Sequence, residues 1–186
     1  MKKRLLCFTM LLTVTISAIT FTNNVKAATK WNTNKSVTKE ENGIKYSAYL
    51  TEDGKESWIY QIKLSKKITK LTLPKEINQA KLTRVGFGKE LYNKGEDEDA
   101  YQNLFGDTIE PWHNCYGDLS NDDKNKQTIE TVAIPGTVNQ LEIATFSGMK
   151  KLKSVVIPEQ TASVPAYTFA KCSALSKVTF SKNMNE

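Results

Sequence analysis

Ile129-Glu130-Thr131-Val132-Ala133-Ile134-Pro135 returns 23 residues later as Leu152-Lys153-Ser154-Val155-Val156-Ile157-Pro158. At the same interval a third copy starts, Leu175-Ser176-Lys177-Val178-Thr179-Phe180. The second half of the unit echoes too. Phe146 lands on Phe169, and Val138 and Leu141 are followed one unit later by Thr161 and Val164. In each copy the first, fourth and sixth residues are apolar, which predicts a short strand with one inward face. The proline after it ends the strand, because proline cannot donate to a ladder.

A period in the twenties around an L-x-x-L-x-L pattern is the signature of a leucine-rich solenoid. The expected fold is therefore α/β and strand-rich: a leucine-rich repeat solenoid of short parallel strands in 23-residue units. The segments carrying Phe146 and Phe169 should return across the back as a turn or a single helical turn, the two rings forming part of the core spine. Units run 129–151 and 152–174, and 175–186 is an incomplete last repeat. Upstream, Ile68-x-x-Leu71-x-Leu73-Pro74 has the same strand pattern, with Lys81 to Gly86 as its return. The following strand should begin near residue 91 but does not arrive until Ile129. Residues 87–128, polar and carrying Gly88, Gly95, Gly106 and Gly117, read as one long insertion in a solenoid spanning 68–186. Insertions in repeat proteins collect on one face, often the binding face.

Ile44, Tyr46, Ala48 and Leu50 alternate with polar residues, as do Trp58, Tyr60, Ile62 and Leu64. Thr51-Glu52-Asp53-Gly54-Lys55 between them is a turn, so residues 43–67 read as a β-hairpin placed to cap the first open face of the core. Residues 28–42 are polar and read as a flexible lead. Met1-Lys2-Lys3-Arg4, an apolar run from Leu5 to Phe21 and small residues at Val25 and Ala27 make residues 1–27 a secretory signal peptide. The apolar run falls short of a membrane span, so no integral span is expected once the signal is removed.

Cleavage after Ala27 removes Lys2, Lys3, Arg4 and Lys26 and no acid, so the formal net charge drops from +6 to +2. The basic pI is thus partly a property of the signal, and nucleic-acid binding loses its main support. Cys115 and Cys172 remain; an extracellular chain could pair them, or they are buried free thiols.

Residues 152–158 and Phe169-Ala170-Lys171-Cys172-Ser173-Ala174-Leu175 resemble the BspA-like leucine-rich repeat family of bacterial surface proteins. Residues 129–151 fit with Met149 where cysteine is usual. The resemblance implies a secreted or cell-surface location and an adhesin-like binding role. It carries no functional residue over, because its motif is framework. The chain stops inside a repeat with no sorting motif behind it. That leaves a piece of a larger surface protein as an alternative, and self-association through the C-terminal strand as an expectation.

Chemistry-bearing residues are few. His113 is the only histidine, and with Cys115 it sits in Pro111-Trp112-His113-Asn114-Cys115-Tyr116. A Cys–His hydrolase is the alternative this stretch raises, but two residues apart in one loop is awkward for a dyad. Glu96-Asp97-Glu98-Asp99 could hold calcium, yet lacks the alternate spacing of a calcium loop and reads as a solvated acidic loop. No cofactor or metal is expected. The outward rows of the strands should be Thr72, Ala133, Val156 and Thr179, beside Lys70, Thr131, Ser154 and Lys177. Together with aromatic anchors Tyr92, Tyr101, Trp112 and Tyr116 in the insertion, Thr72, Thr131, Val156 and Thr179 are the candidate contacts for a protein or glycan ligand. The alternative role for these aromatics is to pack the insertion onto the solenoid. The function read from these residues is that of a non-catalytic, secreted or surface-exposed binding module.

Overall fold

The Asn42-Gly43 pair, with φ of 53° and 81°, makes the tight turn that Asn-Gly favours. It folds β1 (Trp31–Glu41) antiparallel onto β2 (Ile44–Thr51). A flexible lead is thus replaced by an edge strand, whose outward polar residues hid it from a periodicity reading. The computed structural model describes residues 29–88, 101–102, 108–109 and 125–181. The signal peptide, Tyr92, Glu96 to Asp99, Trp112, His113, Cys115 and Tyr116 lie outside them.

From β2 the chain turns at Asp53-Gly54, where the Thr51 hydroxyl donates to Asp53 Oδ1 at 2.6 Å and Lys55 N–H donates to the same oxygen at 3.1 Å. It continues as β3 (Glu56–Leu64), antiparallel to β2. The hairpin is present, but a register shift between Ser47 and Ala48 alters its faces. Ile59, Ile62 and Leu64 enter the main core cluster with Ile44, Tyr46 and Ala48, whereas Trp58 is buried outside that cluster and Tyr60 is half-buried. A bulge adds one residue to one strand and so switches alternation, which a strict period of two cannot foresee.

Next come β4 (Lys70–Thr72), β5 (Glu76–Ile77) and β6 (Ala80–Val85), then β7 (Tyr101–Gln102) paired antiparallel with β8 (Thr108–Ile109). β9 (Thr131–Ala133), β10 (Gln140–Leu141), β11 (Ser154–Ile157) and β12 (Lys177–Phe180) complete the described strands. The larger sheet is mixed and runs β1-β2-β3-β6-β10, with β5 on β6. A second, four-stranded sheet runs β12-β11-β9-β4, all parallel. Corresponding positions of the echoed stretches stand side by side: Lys70, Thr131, Ser154 and Lys177 are in register, and so are Leu71, Val132, Val155 and Val178. Leu71, Leu73, Val132, Val155 and Ile157 join Leu82, Val85, Val138, Leu141 and Phe146 in one core cluster.

No α-helix occurs among the described residues; the one helical element is a 3-10 turn at Lys126–Thr128. The α/β expectation gives way to a strand-rich fold, for a local reason. Ala144 and Tyr167, one unit apart, both have positive φ (61° and 58°), and so do Gly148 and Lys171 (79° and 58°). Left-handed residues interrupt a helix. The amides of Ala144, Phe146 and Gly148 instead donate to the carbonyls of Ala166, Thr168 and Ala170 in the next unit. The rings of Phe146 and Phe169 stack at 5.9 Å with planes 12° apart.

Residues 125–128 belong to the stack and not to the insertion of 87–128 that the sequence pattern implies. Thr128 Oγ1 donates to Ile68 O at 2.7 Å, and Asn125 Nδ2 donates to Leu64 O at 3.1 Å. The inward positions Ile68 and Ile134 are only partly buried, and Val178 and Phe180 are exposed. Burial in a stacked sheet comes from neighbours on both sides, and among the described residues β12 has only β11 beside it.

Candidate binding surface

Both expected outward rows exist. Thr72, Ala133, Val156 and Thr179 are aligned across four strands, with Lys70, Thr131, Ser154 and Lys177 in the parallel row. Thr72, Val156 and Thr179 are exposed, Val156 at 52%, while Thr131 is half-buried. Short side chains in register make this face flat. Tyr101 lies in β7, apart from this sheet's pairing, and Tyr92, Trp112 and Tyr116 are outside the described residues.

At the β4 edge the face meets a groove of about 500 Å³ bordered by Glu41, Tyr46, Lys66, Lys70 and Thr72. Tyr46 spans it, its hydroxyl donating to the Thr72 carbonyl at 3.1 Å. Burial, and secondarily the charge of Glu41, push the Tyr46 phenol up to about 12. The side chain of a neighbouring sheet thereby satisfies one acceptor on the free edge of β4.

The mixed sheet carries a second constellation that strand periodicity did not reveal. Arg84 lies over the Trp58 ring, 3.7 Å from its centroid, and 5.9 Å from that of Trp31. Trp31 meets Trp58 edge-on at 5.7 Å, and Tyr49 stacks on Tyr60 at 4.4 Å. Trp58 Nε1 donates to Gly86 O at 2.7 Å. Burial first, then the charge and hydroxyl of Tyr60, raise the Tyr49 phenol. The Asn42-Gly43 turn was the sequence signal that could have brought Trp31 back over Trp58.

Cys172 is free and buried, its Sγ 3.2 Å from the Phe146 carbonyl. Burial pushes the thiol up to about 11, far from nucleophilic readiness. Among the described residues no group of three or more His, Cys, Asp or Glu could hold a metal ion. Among them, too, no helix is long and apolar enough to cross a membrane.

Residues 124–186 match the family described as "BspA type Leucine rich repeat region (6 copies)". That match covers the C-terminal third of the chain, which is similar to a BspA-type leucine-rich repeat region. No curated protein matches the chain. A solved structure of a leucine rich cell surface protein from Faecalibacterium prausnitzii A2-165 is similar at 14% identity and a TM-score of 0.33. The similarity covers 79% of this chain and 40% of that one, so the chain spans well under half the length of that protein.

Proposed function

We propose that this chain is a non-catalytic, secreted or cell-surface binding module that meets a protein or glycan through the outer face of its parallel sheet, in an adhesin-like role. The four-strand alignment of Thr72, Ala133, Val156 and Thr179 carries the reading: it is a broad, flat, solvent-facing surface on a rigid ladder. The BspA-type match over residues 124–186 supports a surface setting by analogy. We read the 23-residue register as the unit of a leucine-rich solenoid, supported by the hydrogen bonds that Lys153 N–H donates to Glu130 O and Ser176 N–H donates to Lys153 O.

The test is adherence of the purified secreted chain to immobilised extracellular-matrix glycoproteins and glycans, beside an Ala133→Trp/Val156→Trp variant. Two bulky rings on the flat face should weaken adherence by at least about tenfold through lost fit. Adherence to no component of the panel sinks the binding-module reading. Adherence untouched by the rings removes the outer face from it.

A further inference from the structure

The turns that lead into the parallel strands stack in register as the strands do. Glu130 N–H donates to Thr69 O, Lys153 N–H to Glu130 O and Ser176 N–H to Lys153 O. One step earlier, Lys150 N–H donates to Gln127 Oε1, and Ala174 N–H to Lys150 O. Side chains at matching positions therefore form columns along the stack. These columns are rich in one residue type: Lys66, Lys67 and Lys70 before and at the start of β4, Lys150, Lys151 and Lys153 before β11, and Lys177 at the start of β12. All seven are exposed.

Their acidic surroundings are thin and already engaged. Glu130 is bound to Lys153 at 2.8 Å, and that bond, more than the field of Lys151 beside it, holds its carboxyl below the usual range. Glu41, across the groove from Lys66 and Lys70, is paired with Lys39 at 3.2 Å. The other six lysines of the ridge make no ion pair among the described residues. The ridge is positive although residues 28–186 carry a net charge of only +2, so the charge is concentrated at one edge rather than spread.

We propose that this lysine ridge binds a linear anionic polysaccharide, sulfated or uronate-bearing, laid across the lead-in turns along the axis of the stack. The proposal rests on the binding-module reading and names a ligand class for it. With strands about 4.8 Å apart, the first and third rungs of lysines are two spacings apart, close to the length of a disaccharide. Flexible ammonium groups match anions that repeat along a polymer without fixed orientation, whereas bidentate phosphate recognition favours arginine. Arg84, the sole described arginine, is buried away from the ridge. The lead-in turns carry no aromatic residue, and Tyr46, which borders the groove with Lys66 and Lys70, is buried, so neither offers the ring face on which single-stranded nucleic acid stacks its bases.

Heparin is the probe. The full secreted chain is compared with Lys66→Gln/Lys67→Gln/Lys70→Gln and Lys150→Gln/Lys151→Gln/Lys177→Gln. A control, Lys35→Gln/Lys75→Gln/Lys81→Gln, loses equal charge from exposed lysines elsewhere. Each ridge triple should weaken heparin binding by at least about tenfold and flatten its salt dependence, while the control stays within about twofold of native. Unchanged thermal midpoints establish that the variants are folded. Equal loss in control and ridge variants overturns the proposal, as does a native chain that heparin does not retain. So does competition by single-stranded DNA as effective as that by heparin, which would make the ridge a reader of any polyanion. Adherence to neutral components of the glycoprotein panel can persist through any of these failures, so the binding-module reading stands or falls separately.

Discussion

Arg84 Nε donates to Glu142 Oε1 at 2.7 Å across 58 residues of chain, and the two side chains keep only 5% and 13% of their exposure. The bond reinforces the β6–β10 pairing, through which the unit beginning at Ile129 joins the N-terminal sheet. A charge pair this enclosed is sensitive to the loss of one member, because the other charge stays behind in a poorly hydrated site. Glu142→Ala is expected to cost about 3 kcal/mol in urea unfolding. A loss under about 1 kcal/mol would show that strand pairing and apolar packing hold β6 to β10 without help from this ion pair.

Gly86 should be irreplaceable in a way that Gly54 is not. Both have positive φ, 115° and 70°. A Cβ on Gly86 would come 2.7 Å from Glu142 Cβ and into Thr145 Oγ1, whereas one on Gly54 meets nothing within 4 Å. Gly54→Ala is expected to cost about 1 kcal/mol from backbone strain alone, and Gly86→Ala at least about 3 kcal/mol because strain and overpacking add. Thermal melts of the two variants give the comparison, and equal shifts would refute the close approach.

Ile157→Ala should cost about 2–5 kcal/mol, since Ile157 is fully buried in the core cluster. Lys153→Ala should cost under about 0.5 kcal/mol, because its pair with Glu130 is solvent-exposed. Similar losses from the two would contradict the observed inward and outward assignment of the strand.

Tyr46 sets an alkaline limit. Its folded pKa near 12 exceeds the ordinary value of 10.0, so the folded state holds the phenolic proton more tightly. The stabilisation is complete below pH 10 and is lost as pH rises through about 12, up to about 2–3 kcal/mol. Tyr46→Phe should remove this slope while forfeiting about 1 kcal/mol from the hydrogen bond to Thr72. Cys172, raised from 9.0 to about 11, adds a slope of the same sign that starts lower and survives in the variant. A pH profile of Tyr46→Phe matching native between pH 10 and 12 would rule out Tyr46 as the source.

Val178 and Phe180 are 36% and 47% exposed on a strand paired on one side among the described residues. An apolar open edge favours pairing with another chain, so concentration-dependent self-association of the 186-residue chain is expected. Sedimentation of native chain beside Val178→Lys/Phe180→Thr measures it. A native monomer at micromolar concentration would sink the expectation.

The strands of the repeat region were legible because their apolar positions repeat at a fixed interval, and stacking is the one arrangement that buries them all. That logic located Val132, Val155 and Ile157 in the core and put Thr72, Val156 and Thr179 on the outside. It also located the Phe146–Phe169 spine. Tyr92, Trp112 and Tyr116 of the intervening segment lie outside the described residues. What the sequence determined by itself was this local periodicity, since a side chain's face follows from its place in a strand. Only the tertiary structure decided the rest. The bulge opposite Ser47 and Ala48 placed Trp58, still fully buried, under Arg84 and Trp31 rather than in the main cluster, and the Asn42-Gly43 turn converted a polar lead into β1. Arg84 and Glu142 met, and lysines from separate lead-in turns aligned into one ridge. Each depends on which strand lies beside which, and adjacency between residues far apart in the chain is set by global packing that no short pattern encodes.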